Sequence, residues 1–133
     1  MDPKKERITV LVVDNDKDFL AEVSESLDGS GYTAVAVNDP MIALMEIERV
    51  KPDVVLLDLQ MPGKSGLEIG YEIRRRPQFA RTPILALSGI FPGSDIPLPE
   101  VWGVKHCLNK PFHPSELICA IEKILAKQTA LIN

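Results

Sequence analysis

The chain is poor in cysteine and histidine, the side chains that form disulfides and hold soft metals. It has two cysteines and two histidines in 133 residues. Cys107 and Cys119 lack CxxC spacing and lie in apolar stretches. They read as reduced, structural thiols of a cytoplasmic protein, which excludes a disulfide framework or a cysteine-based zinc site. His106 and His113 have no partners at metal-ligand spacing and read as surface or strand-edge residues. Basic residues are not in surplus either. The formal net charge is −4, which excludes a nucleic-acid face built on general basicity. The run Arg74–Arg76 falls at a predicted helix end, where cations favour the negative end of the dipole. No apolar run is long enough to span a bilayer and no signal-peptide pattern is present, so neither membrane nor nucleic acid is an expected partner.

What is present suits one α/β domain. Apolar residues make up 45% and charged residues 26%, enough for a full core and a polar surface. Residues 1–7 read as a flexible polar leader, 8–127 as the domain, and 128–133 as a tail or the start of a linker. Strands are predicted at Ile8–Val13, Tyr32–Val37, Asp53–Asp58, Pro83–Ser88 and Val104–Leu108. Several of these runs are continuously apolar, the pattern of parallel strands buried on both faces. Helical patterns lie between them. Phe19, Leu20, Val23 and Leu27 form one stripe. Asp39-Pro40 starts a second helix whose stripe includes Ile42 and Met45, and Lys51-Pro52 ends it. Gly66–Arg76 is a third, and Pro114–Lys127 a last. Between the fourth and fifth strands, Pro92, Pro97 and Pro99 fill the place of a helix. An interior proline costs a helix about 3 kcal/mol. A loop, or a single turn near Pro99–Trp102, is therefore expected there, with Trp102 plugging the gap. The alternation predicts a (βα)5 doubly wound sheet with ligands at the carboxyl ends of its strands. Asp14, Asp58, Ser88 and Lys110 all fall at or just past predicted strand ends.

The stretches "DVVLLDLQMPGKSGLEI" (Asp53–Ile69), "ALSG" (Ala86–Gly89) and "LNKPF" (Leu108–Phe112), in that order and after an acidic strand end, resemble the CheY-like receiver domains of two-component response regulators. The resemblance spans nearly the whole chain. It implies a flavodoxin-like fold with strand order 2-1-3-4-5, and a signalling phosphoacceptor that assists only its own phosphorylation and dephosphorylation. By position, Asp58 is the phosphoacceptor, Ser88 the switch hydroxyl and Lys110 the phosphoryl-pairing lysine. The Lys110–Pro111 bond is implied to be cis. Magnesium is implied, on Asp14, Asn15, Asp58 and the backbone carbonyl of Gln60, an oxygen suited to a hard cation. The phosphoryl donor is implied to be a histidine kinase or a histidine phosphotransfer protein. Gln60 and Ile90 occupy positions that tune loss of the phosphoryl group. Ile90 cannot orient a water by hydrogen bonding, so the expectation is a long-lived phosphoryl group.

Three positions depart from the pattern. Cys107 stands where the family usually carries a rotating aromatic switch. The proline-rich gap falls on the family's output and dimerisation face, so a homodimer and the downstream partner are left open. Asn15 stands at the direct metal-ligand position, where the family usually has an acid. An amide oxygen binds magnesium more weakly than a carboxylate. Asp16 could lend a carboxylate, or could only cap the first helix.

Asn15 motivates a second reading, a non-phosphorylated interaction module on the same fold. A third comes from "VLVVDND", which also fits the start of haloacid-dehalogenase-type phosphatases, with Asp14 as nucleophile and Asp16 as general acid. That family places magnesium-binding acids after its lysine, and no aspartate follows Lys110.

Overall fold

The computed structural model describes residues 7–89 and 107–132. Its strands are β1 (Thr9–Val13), β2 (Thr33–Val37), β3 (Val54–Asp58), β4 (Ile84–Ser88) and β5 (Cys107–Asn109). Its helices are α1 (Lys17–Gly29), α2 (Ala43–Val50), α3 (Gly66–Arg74) and α4 (Pro114–Ile132). The five strands form one parallel sheet in the order β2-β1-β3-β4-β5, the expected flavodoxin-like arrangement.

The sheet forms because its central strands can be buried on both sides. Every residue of β3 and β4 is buried. Successive side chains point to opposite faces, so the strands feed two separate cores. Leu11, Val13, Val55, Leu57 and Ala86 meet Ile47 of α2 and Ile69 and Ile73 of α3. Val10, Val12, Val54, Leu56, Leu85 and Leu87 meet Leu20 and Leu27 of α1 and Leu117 and Ile121 of α4. Each fully buried leucine or isoleucine contributes ~1.5–3 kcal/mol relative to exposure. The parallel register brings all strand carboxyl ends to one edge: Leu57 pairs with Val13, Asp58 with Leu87, and Ser88 with Asn109.

Several details differ from the expectation. Pro40–Ile42 forms a 3-10 turn before α2, and this shifts the helical phase. The residues turned inward are Ala43 and Ile47, while Ile42 and Met45 are 38% and 58% exposed. Both thiols are free but exposed rather than enclosed in the core. In β5 it is Leu108 that packs toward α4, so Cys107 takes the opposite face of a strand at the sheet edge. Cys119 points away from the stripe of Leu117, Ile121 and Ile124 that α4 buries. Arg7, expected in the flexible leader, donates to the carbonyls of Asp28, Gly31 and Tyr32 at the α1–β2 turn. Helix α4 continues past Lys127 to Ile132. The proline-rich gap, Ile90, Trp102 and His106 lie outside the described residues, as does the start of the predicted fifth strand.

Candidate functional site

Two strand ends are built alike. After β1, Oδ1 of Asp14 accepts the backbone N–H of Asp16 at 2.9 Å. After β3, Oδ1 of Asp58 accepts the backbone N–H of Gln60 at 3.1 Å. Each aspartate thus bonds the main chain two residues on, an Asx turn that holds its carboxylate over the sheet edge. Asp14 is 1% exposed and Asp58 4% exposed. Burial pushes the Asp58 carboxyl above the ordinary carboxylate range. The Gln60 N–H opposes that shift, neighbouring Asp14 adds to it, and Lys110 opposes it again.

Lys110 follows β5, one strand beyond β4. Its backbone N–H donates to the carbonyl of Ser88 at 2.6 Å, and the Lys110–Pro111 peptide is cis. Its ammonium lies 2.5 Å from Oδ2 of Asp14 and 3.7 Å from Oδ2 of Asp58. Ser88, buried at the end of β4, completes the cluster. Residues far apart in the chain thus meet at one edge: two buried acids, one ammonium and one buried hydroxyl.

Asn15 and Gln60 are exposed beside these acids. Asp16 is also exposed, and its carboxylate accepts the N–H groups of Asp18 and Phe19 as the N-cap of α1. Among the described residues, no three His, Cys, Asp or Glu side chains gather into a ready metal site. A cation here would rest on Asp14 and Asp58, with the Asn15 amide and the Gln60 carbonyl adjacent. That all-oxygen set fits a hard divalent ion. The raised Asp58 carboxyl fits it too, because burial disfavours its charged form and a nearby cation would favour it.

Residues 10–122 match the family described as the response regulator receiver domain. The chain belongs to that family. Among curated relatives it is 31% identical over 127 residues to the DNA-binding response regulator MtrA of Mycobacterium tuberculosis, covering 96% of this chain and 54% of the relative. It is 30% identical over 118 residues to the alkaline phosphatase synthesis transcriptional regulatory protein PhoP of Bacillus subtilis, covering 89% of this chain and 48% of the relative. The chain spans about half the length of these curated relatives. Among solved structures it superposes on the chemotaxis protein CheY4 of Vibrio cholerae with a TM-score of 0.82 and 28% identity, covering 89% of this chain and 98% of that one. The signal receiver domain of a DNA-binding response regulator from Colwellia psychrerythraea gives 0.78 and 26%, covering 90% and 98%.

The match to the receiver-domain family stands against the phosphatase alternative, and Asp16, which that alternative casts as general acid, caps α1 in this structure. Two residues of the site carry no functional flag in the sequence. A Cβ on Gly66 would lie 2.0 Å from the backbone oxygen of Asp58, so only a bare Cα lets α3 begin this close to the strand end. Its one sequence signal is the "GKSG" run. Phe19 reads as one more member of the α1 stripe, yet its ring lies under the Lys110 ammonium, 4.1 Å from centroid to Nζ. No helical periodicity distinguishes such a ring from core. Among the described residues, no helix is long and apolar enough to cross a membrane.

Proposed function

We propose that Asp58 accepts a phosphoryl group from the phosphohistidine of a histidine kinase or histidine phosphotransfer protein in the cytoplasm, and that the modified domain then switches its protein partners. The observation that carries this reading is the placement of the Lys110 ammonium against two buried carboxylates, closer to Asp14 than to Asp58. Asp14, Asn15, Asp58 and the Gln60 carbonyl would hold magnesium. Bound there, the ion would supply positive charge that offsets repulsion between the incoming phosphoryl oxygens and the carboxylates.

The chain's own groups account for the remaining chemistry. A carboxylate oxygen of Asp58 forms a bond to phosphorus while the phosphorus–nitrogen bond to the donor imidazole breaks. The electron pair and the balancing proton stay with that imidazole. The product is an acyl phosphate. Oδ1 of Asp58 is held by the Gln60 N–H, which limits rotation of the attacking group. Lys110 exchanges its bond to Asp14 for one to a phosphoryl oxygen, a charge-assisted contact suited to a compact ammonium. The Ser88 hydroxyl donates to another oxygen and so carries the change of state to the end of β4.

Asn15 supports a second reading, an interaction module that is never phosphorylated, because it replaces a charged ligand with a neutral one. Incubation with phosphoramidate and magnesium, followed by intact mass measurement, separates the two. One added phosphoryl group, absent in Asp58→Ala and formed more slowly in Asp14→Ala, is the expected result. No adduct at any magnesium concentration would leave the interaction module as the better account.

A further inference from the structure

The Lys110 ammonium has a third neighbour besides the two acids. The Phe19 ring, on the first turn of α1, presents its face to Nζ at 4.1 Å from the centroid. That is well within the ~6 Å over which a ring quadrupole attracts a cation. Phe19 is itself braced, because Phe112 meets it edge-to-face with centroids 5.8 Å apart and planes at 83°. Phe112 is held in turn by the short segment between β5 and α4 that also carries Lys110. The two rings and the lysine line one cleft of about 420 Å³ between α1 and the segment that leads into α4.

We infer that Phe19 is a positioning residue for phosphoryl transfer, its ring face holding the Lys110 ammonium while that group moves from Asp14 to the phosphoryl oxygens. This rests on the reading of Asp58 as phosphoacceptor. Transfer requires Lys110 to give up a 2.5 Å bond to Asp14. Hydrogen bonds to a carboxylate are directional and break when the donor shifts. Attraction to a ring face is broad and weakly directional, so it persists as the ammonium slides above the ring. The Lys110 side chain is only 21% exposed, which keeps the attraction from being fully screened. A leucine at this position would fill the same space on α1 but offer no quadrupole. Lys110 would then spend more of its time bound to Asp14 alone, or turned out to solvent.

The test uses the whole chain with Phe19→Leu, Phe19→Met and Phe19→Tyr. Phosphoramidate with saturating magnesium is the donor, and uptake is followed by intact mass. The expected result is a maximal phosphorylation rate about three- to tenfold lower in the leucine and methionine variants. The half-saturating magnesium concentration should stay within about twofold and the tyrosine variant should recover to within about twofold of wild type, both margins small beside a tenfold step of ~1.4 kcal/mol. A second readout needs no phosphorylation: the ε-methylene protons of Lys110 should show an upfield ring-current shift in the wild-type and tyrosine proteins that leucine abolishes. Methionine provides a second apolar variant should leucine unfold the domain.

A wild-type rate in the leucine variant, a slow tyrosine variant, or an unshifted Lys110 ε-methylene in the wild type would each overturn the clamp. If the wild type takes up no phosphoryl group, the reading of Asp58 fails instead. The ring-current measurement then still decides whether Phe19 holds the lysine.

Discussion

Lys110 gives its close contact to Asp14, at 2.5 Å, and stands off from Asp58 at 3.7 Å. The acid read as the reactive one is therefore the less compensated of the two. Its carboxyl is pushed above the ordinary range chiefly by burial, and Asp14 adds to the shift.

The first prediction follows from that sign. A carboxyl whose folded pKa is raised contributes its stability below the unfolded pKa and loses it as pH rises through the folded one. Asp58→Asn removes the ionisation and keeps the shape. In a chelating buffer the variant should be more stable than wild type at neutral pH, by an amount of order 1 kcal/mol. The advantage should shrink as pH falls into the ordinary carboxylate range and the wild-type group is protonated in both states. Urea unfolding of the two proteins across pH measures it. A difference that does not change with pH would mean that Asp58 is adequately neutralised in the fold.

Gly66→Ala should damage both stability and site. The added Cβ would lie 2.0 Å from the Asp58 carbonyl oxygen and 2.7 Å from its carbon. These are main-chain atoms, so either β3 or the start of α3 must move. The cost is about 1–3 kcal/mol, as for overpacking of a tight core. Because the displaced atoms belong to Asp58, phosphorylation should slow beyond what the loss of stability explains. Unfolding curves and mass-monitored uptake on the same samples check both halves. Unchanged stability would show that α3 can retreat freely.

Asp16→Ala separates the two roles open to that residue. Its carboxylate satisfies two N–H groups at the start of α1, so the substitution should cost about 1 kcal/mol of stability. Magnesium affinity, measured by calorimetric titration, should not change if capping is its whole role. A weaker affinity would show that Asp16 lends charge to the cation.

How much of this was legible beforehand follows the physics of each element. β3 and β4 are central and buried on both faces, and so they announce themselves as unbroken apolar runs. A doubly wound sheet gathers its strand ends at one edge, which is why Asp58, Ser88 and Lys110, singled out by motif and position, fall together there at or just past the ends of β3, β4 and β5. The inward face of α2 departs from the sequence pattern because a 3-10 turn precedes it. Periodicity counted from Asp39 then runs out of phase with the helix that begins at Ala43. The thiols are free, as expected, but their exposure is not legible, because an apolar neighbourhood in sequence says nothing about an edge strand or the outer face of a helix. Phe19 and Gly66 were missed for another reason. Their roles are distances to groups elsewhere in the chain, which no local pattern encodes.

Asn15→Asp probes directly whether a neutral side chain at this position limits the proposed magnesium binding. Asn15 is exposed next to the buried Asp14 and is one of the proposed magnesium ligands. Affinity for a hard divalent ion rises with the number of charged oxygen ligands. A second acid at the end of β1 should tighten magnesium binding about tenfold, equivalent to ~1.4 kcal/mol. Without the ion the same acid adds repulsion to Asp14 and Asp58. The cation-free variant should be slightly less stable than wild type, by less than about 1 kcal/mol because the position is open to solvent. Magnesium should therefore stabilise the variant more than it stabilises wild type, an excess that unfolding curves with and without the ion can measure. If calorimetry gives equal affinities, the amide of Asn15 already serves the cation as well as an acid would. The neutral residue would then be no reason to doubt magnesium-dependent phosphorylation. If the affinity rises and phosphorylation quickens with it, Asn15 sets the ion concentration at which Asp58 becomes competent.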